Sequence, residues 1–182
     1  MAIEKVEAFR SKMLPDILEH DLRIVFCGTA VGEKSATLQM YYAGPGNRFW
    51  KVLIEVGLTP VRLEPKQYAE LPKYGLGLTD LVKNASGPDS RIDFTASALE
   101  VLRSKVLKFQ PGILCFNGKK AAKEFPGRSV HYGLQRERIQ NTRLFVTPST
   151  SGAANGYWDV EWWFELVKSL PQDHLDDSDS SA

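Results

Sequence analysis

At 182 residues, with 43% hydrophobic and 25% charged positions, the chain has the composition of a soluble domain large enough to bury a substantial core. No apolar run reaches the length needed to span a bilayer, and the N-terminus carries no secretory pattern. The net charge of +1 hides an asymmetry: Asp173, Asp176, Asp177 and Asp179 fall in the last stretch without a basic residue, so the 22 acidic residues drop to 18 against 23 basic ones in the remainder, a balance of +5. That balance is compatible with a polyanionic partner without demonstrating one. The chain therefore reads as one domain over 1–171 followed by an acidic, disordered tail over 172–182.

In chain order, Val6 to Leu18 has a loose helical pattern that Pro15 should break or kink. Leu22 to Cys27, closed by Gly28, is the apolar run of a buried strand. After a polar, glycine-containing loop, Phe49, Trp50, Val52, Leu53 and Val56 fall at helical spacing, with Gly57 as the stop. Gly77 to Val82 suits a short strand or turn that delivers Thr79 and Asp80 to a surface. Ala96 to Phe109 is an amphipathic helix with Thr95 as its cap. Gly112 to Phe116 and Arg143 to Val146 are further strand candidates, and Trp158 to Leu170 a final amphipathic helix. Strands alternating with helices imply a mainly parallel sheet covered on both faces, with ligands collecting beyond the carboxyl ends of its strands. Cys27 and Cys115 lie in two of these apolar runs and read as buried, reduced thiols.

Several chemistries lack their residues. Gly28-Thr29-Ala30-Val31-Gly32 has neither a Lys-Ser/Thr ending nor dinucleotide glycine spacing. His20, His131 and His174 are scattered without paired ligands, so no metal is expected. A nucleophilic serine elbow is missing as well. Tyr41-Tyr42-Ala43-Gly44-Pro45-Gly46-Asn47-Arg48-Phe49-Trp50 instead sets aromatic rings beside a rigid turn, an amide and a cation. The loop from Thr147 to Asn155 also follows a strand and precedes a helix, as a second wall of one cleft would.

Together with Gly75-Leu76-Gly77-Leu78-Thr79-Asp80-Leu81-Val82, Phe116-Asn117-Gly118-Lys119 and Pro148 through Asn155, these segments resemble the mismatch-specific uracil/thymine DNA glycosylases, a branch of the uracil-DNA glycosylase superfamily. The resemblance runs in order from about Leu22 to Leu170, and Gly-Pro-Gly-Asn-Arg-Phe-Trp is its most specific element. It implies a three-layer α/β/α sandwich with a short, mainly parallel central sheet. It also implies hydrolytic removal of uracil or thymine mispaired with guanine, without metal or organic cofactor. The partner would be double-stranded DNA containing uracil or a mismatch, with single-stranded DNA a further candidate. A bacterial, cytoplasmic monomer associated with the nucleoid through its DNA, and not with membrane, is the corresponding expectation.

Excision from a duplex requires the nucleotide to leave the stack, at about a few kcal/mol, and a mispair lowers that cost. Tyr42 matches the family's stacking aromatic, and a base on an aromatic ring gains roughly 1–3 kcal/mol. Gly28 would let backbone approach the base, and Thr29 would offer its main-chain N–H to a pyrimidine carbonyl. Asn47 suits a base contact or a cap for the following helix. Ser35 suits a water- or substrate-orienting group or a surface serine. Arg48, Lys51 and Lys119 are candidate phosphate contacts, and Asn155 a contact to the opposite strand or a turn amide. Trp158, Trp162 and Trp163 read mostly as core.

Three positions depart from the family pattern. Ala30 stands where relatives carry the Asn that positions the attacking water, and a methyl group can do no such thing. Asp80, where relatives carry Asn or Lys, is the replacement candidate: a carboxylate can orient water and stabilise an oxocarbenium-like sugar. Ser151 and Gly152 match the start of the DNA-penetrating loop, but Ala153 occupies the wedge position where relatives carry Leu or Arg. Alanine fills little of a vacated stack, which favours mispaired or single-stranded uracil over uracil paired with adenine. The expected activity is a monofunctional glycosylase; the alternative is a non-catalytic binder of mispaired or abasic DNA.

Overall fold

The computed structural model describes residues 14–83, 94–125 and 130–171. The expected tail and the Val6–Met13 part of the first helical pattern lie outside them. Five strands form one sheet: β1 (Ile24–Gly28), β2 (Leu76–Asp80), β3 (Ile113–Asn117), β4 (Gly133–Ile139) and β5 (Thr142–Thr147). Their spatial order is β2-β1-β3-β5-β4; β2, β1, β3 and β5 run parallel, and β4 closes one edge antiparallel to β5. The helices are α1 (Glu33–Leu38), α2 (Phe49–Glu55), α3 (Ala96–Phe109), α4 (Lys119–Glu124) and α5 (Glu161–Lys168). Two 3-10 helices, Pro65–Tyr74 and Gly152–Tyr157, complete the set among the described residues.

The parallel strands read as continuous apolar runs because the sheet is buried on both faces. Alternation of side chains sends Ile24 and Phe26 to one face of β1 and Val25 and Cys27 to the other. The first face packs against Leu53 of α2, Leu71 of the first 3-10 helix and Trp163 and Leu166 of α5. The second packs against Leu102 and Val106 of α3 and Ala121 and Ala122 of α4. Two apolar clusters separated by one sheet make the expected α/β/α sandwich. Phe26 anchors the first cluster, edge-on to Phe49 at 5.2 Å and stacked on Trp163 at 5.6 Å.

Thr95 caps α3 as expected, its hydroxyl accepting from the Ala98 N–H at 3.3 Å. Gly57, at φ +77, follows α2 where its stop signal stands. The described end of the first pattern is not helical. Pro15 cannot continue a helix, and the Ile17 backbone pairs with Leu78 instead, through hydrogen bonds of 2.8 and 2.9 Å. The last helix is shorter than its pattern, because Trp158 is extended and Asp159 Oδ1 accepts from Glu161 N–H at 3.0 Å, which starts the helix at Glu161. Trp163 alone of the three late tryptophans is fully buried; Trp158 and Trp162 are half-buried. Strand β4 had no apolar run to announce it. Its exposed Arg136 and Arg138 alternate with the buried Gln135 and Ile139 in a polar edge strand.

Candidate active site

The carboxyl ends of the strands gather the residues singled out above. Gly28 ends β1 and is the register partner of Asp80, which ends β2; Asn117 at the end of β3 is opposite Thr147 of β5. Continuation of the chain past β2 ties this edge together, as Leu81 N–H donates to Gly28 O at 2.9 Å and Val82 N–H to Thr29 O at 2.8 Å. Thr29 is thereby fixed at the crevice rim through its carbonyl.

Asp80 is 4% exposed. Burial pushes its carboxyl above the ordinary value of 3.8, against the Lys83 ammonium, whose Nζ lies 3.2 Å from Oδ2. The other oxygen, Oδ1, stands over Gly28. A Cβ there would sit 3.0 Å from it and 3.7 Å from the Tyr42 hydroxyl, so glycine lets the carboxylate and the phenol approach the backbone closely. Tyr42 stacks on Phe49 with ring centroids 4.0 Å apart and planes at 25°. Its backbone is left-handed, at φ +53, and its buried hydroxyl makes no hydrogen bond of good geometry. Burial and the Asp80 charge push that phenol far up, although the Asn117 side chain stands near enough to offset part of the effect. A strained backbone and an orphan hydroxyl at one residue are features that folded proteins retain at functional sites.

The two loops touch. Gly152 packs against Pro45 O, where a Cβ would be 3.1 Å away. Arg48 N–H donates to Thr150 O at 2.9 Å, its guanidinium donates to Asn155 Oδ1, and it lies over the Trp158 ring at 5.1 Å. Asn117 binds Thr150 twice, donating from Nδ2 to the hydroxyl and accepting from the N–H, both at 2.9 Å. Arg48 and Asn155, both candidate DNA contacts, therefore meet each other and join the walls. The other candidates separate by role. Asn47 Oδ1 accepts from Phe49 N–H at 3.0 Å, the capping arrangement. Ser35 is buried, not a surface serine, and accepts from Ala43 N–H at 3.0 Å, supporting the turn that carries Tyr42. Ser151 caps the second 3-10 helix through Ala153 N–H at 3.3 Å, leaving Ala153 exposed. Lys51 is exposed on α2, while Lys119 lies 4.1 Å from the Tyr132 ring. Ala30 packs with the apolar cluster beneath α3 and α4 and adds nothing polar to the crevice.

Sequence reasoning passed over Lys83, Asp16 and Tyr41, which surround Asp80 from behind. A lysine three residues after an aspartate was a weak local signal; Asp16 is distant in the chain and gave none.

Fold and edge together define an α/β/α protein in which a buried carboxylate and an aromatic residue meet over a glycine at the carboxyl edge of a mainly parallel sheet. The family model of the uracil DNA glycosylase superfamily matches residues 15–167, and the chain belongs to that superfamily. Its fold is similar to the solution NMR structure of a Methanosarcina acetivorans protein provisionally described as a uracil DNA glycosylase. That match has a TM-score of 0.57 at 23% identity, over 86% of this chain and 98% of the other.

Proposed function

We propose that the chain is a monofunctional DNA glycosylase of the mismatch-specific branch, hydrolysing the N-glycosidic bond of uracil opposite guanine, with thymine or other damaged bases as further substrates. One observation carries this reading: a buried carboxylate, Asp80, sets Oδ1 against the face of Gly28 beside the Tyr42 phenol, at the carboxyl edge of the sheet. A base swung from the stack would lie on the face of Tyr42 opposite Phe49, gaining about 1–3 kcal/mol. As the glycosidic bond breaks, the Asp80 anion stabilises the cationic sugar and orients a water toward its anomeric carbon. Among the described residues, Lys83 is the lysine bonded to Asp80, and it is a poor imine-forming amine: Asp80 and Asp16 outweigh its burial and push its pKa up, keeping it protonated. The product is an abasic site in an uncut strand.

Asp80→Asn should lower single-turnover excision of uracil by at least ~100-fold, the size of a lost acid–base or electrostatic group, while binding of abasic duplex stays near wild type. Excision close to the wild-type rate in that variant rejects the assignment. Strand cleavage without alkali would remove the monofunctional part. Inward packing of Ala30 favours a second reading, a binder of mispaired or abasic DNA that releases no base. The same assay separates the two, because the binder retains the duplex intact.

A further inference from the structure

Behind Asp80 lies a set of charges that the proposed chemistry does not itself touch. Lys83 Nζ is 3.2 Å from Asp80 Oδ2, 3.0 Å from Asp16 Oδ1 and 2.8 Å from the Tyr41 hydroxyl. Asp16 is held in turn by Lys105 Nζ at 2.5 Å and by the Thr79 hydroxyl at 2.9 Å. The side chains of Lys83 and Asp16 are only 17% and 18% exposed, so water screens these pairs far less than surface ones. Buried ion pairs are poor devices for stability, since an apolar set of similar volume often serves as well. One ammonium shared between two carboxylates, one of them facing the crevice, calls for another explanation.

We propose that Lys83 is a positioning residue for base excision: its ammonium, shared between Asp80 and Asp16, fixes the Asp80 rotamer and offsets the cost of carrying charge on that buried carboxyl, with Oδ1 presented against Gly28. This rests on the reading of Asp80 as the group that acts on the sugar. Five groups face Asp80 or its partner. Lys83 follows β2, and Tyr41 and Tyr42 come from the loop before α2. Cys27 lies on β1, and Asp16 lies on the N-terminal side of β1, compensated by Lys105 of α3. Burial and the Asp80 charge push both phenols and the Cys27 thiol well up, so these stay neutral across the working pH range. For Asp80, burial is the largest upward influence; Lys83 is the largest downward one, and Asp16 adds to the rise. Removing Lys83 therefore moves Asp80 titration to higher pH, and neutralising Asp16 moves it to lower pH.

The test is the pH dependence of single-turnover uracil excision from a uracil·guanine duplex, for wild type, Lys83→Met, Asp16→Asn and Asp80→Asn. Lys83→Met should raise the acid limb by about one unit or more, the rate lost on its acid side returning in alkali. Asp16→Asn should shift the limb the opposite way. Opposite signs cannot come from general loosening of the fold. Limbs that stay put, or that move together, overturn the role of Lys83. If Lys83→Met does not fold, Asp16→Asn decides alone, an unmoved or raised limb being the negative result. The carboxyl 13C titration of Asp80 in the free protein, assigned by its loss in Asp80→Asn, reads the same shifts without any substrate. A fully active Asp80→Asn would instead sink the function itself. An inactive Asp80→Asn with unmoved titrations would sink only the part given to Lys83.

Discussion

Tyr42 holds two unfavourable features that a packing residue would have no reason to keep. Its left-handed backbone costs about 1–3 kcal/mol, and its buried hydroxyl forfeits water without gaining a good partner. Tyr42→Phe removes only the hydroxyl. The variant should therefore unfold at the same temperature as wild type or higher, by up to about 1 kcal/mol of added stability, and should bind uracil-containing DNA as well. Thermal melts and equilibrium binding check both statements. A large loss of DNA affinity in Tyr42→Phe would show that the hydroxyl, not the ring face, is what the substrate meets. Asp80 shares this character: its neighbours oppose its burial without cancelling it, so the carboxyl stands above its ordinary value. Both residues were legible as candidates because the family resemblance places them at pocket positions and their types suit the chemistry. Their strain was not legible, since it arises only where β1, β2 and the loop before α2 converge.

The two loops act as one unit. Arg48 is the last residue before α2, yet its backbone holds Thr150, its guanidinium holds Asn155 and its charge rests on Trp158. Arg48→Ala deletes a hydrogen bond and a cation–ring contact and should cost about 1–2 kcal/mol of stability. It should also raise KM several-fold at nearly constant kcat, because the walls would no longer be held at a set separation. Denaturant unfolding and steady-state excision measure these two effects. A variant of wild-type stability and KM would mean that the loops keep their spacing through Gly152 and Pro45 alone. Helix α3 was readable to the residue from its pattern and from Thr95, both local signals. Strand β4 was not, because an edge strand of alternating charge and polarity takes its conformation from its pairing with β5.

Across the molecule, cations must meet the DNA backbone from the face that carries the crevice. Lys51 is exposed and committed to no partner among the described residues, whereas Lys119 is engaged with Tyr132. If Lys51 meets a phosphate, Lys51→Ala should weaken binding to matched and mismatched duplex alike. The slope of log affinity against log salt should also become shallower by about one. An unchanged slope would leave that lysine merely solvated. Ala153, exposed at the tip of the second loop, offers only a methyl group to a vacated stack, which supports the proposed preference for mispaired bases.

The order of apolar runs and helical patterns was enough to establish a mainly parallel sheet covered on both faces, and the spacing of Gly-Pro-Gly-Asn-Arg-Phe-Trp was enough to point to the superfamily. These signals are local: a buried strand must be apolar, and a cap must lie beside its helix. The environment of Asp80 is of another kind. Its carboxylate lies among Lys83, Asp16 and Tyr41, with Gly28 opposite, and these groups are brought together by pairing of β1 with β2 and by the Ile17 bridge to Leu78. Electrostatic energy depends on distances in space and on exclusion of water, and neither quantity exists until the chain has folded.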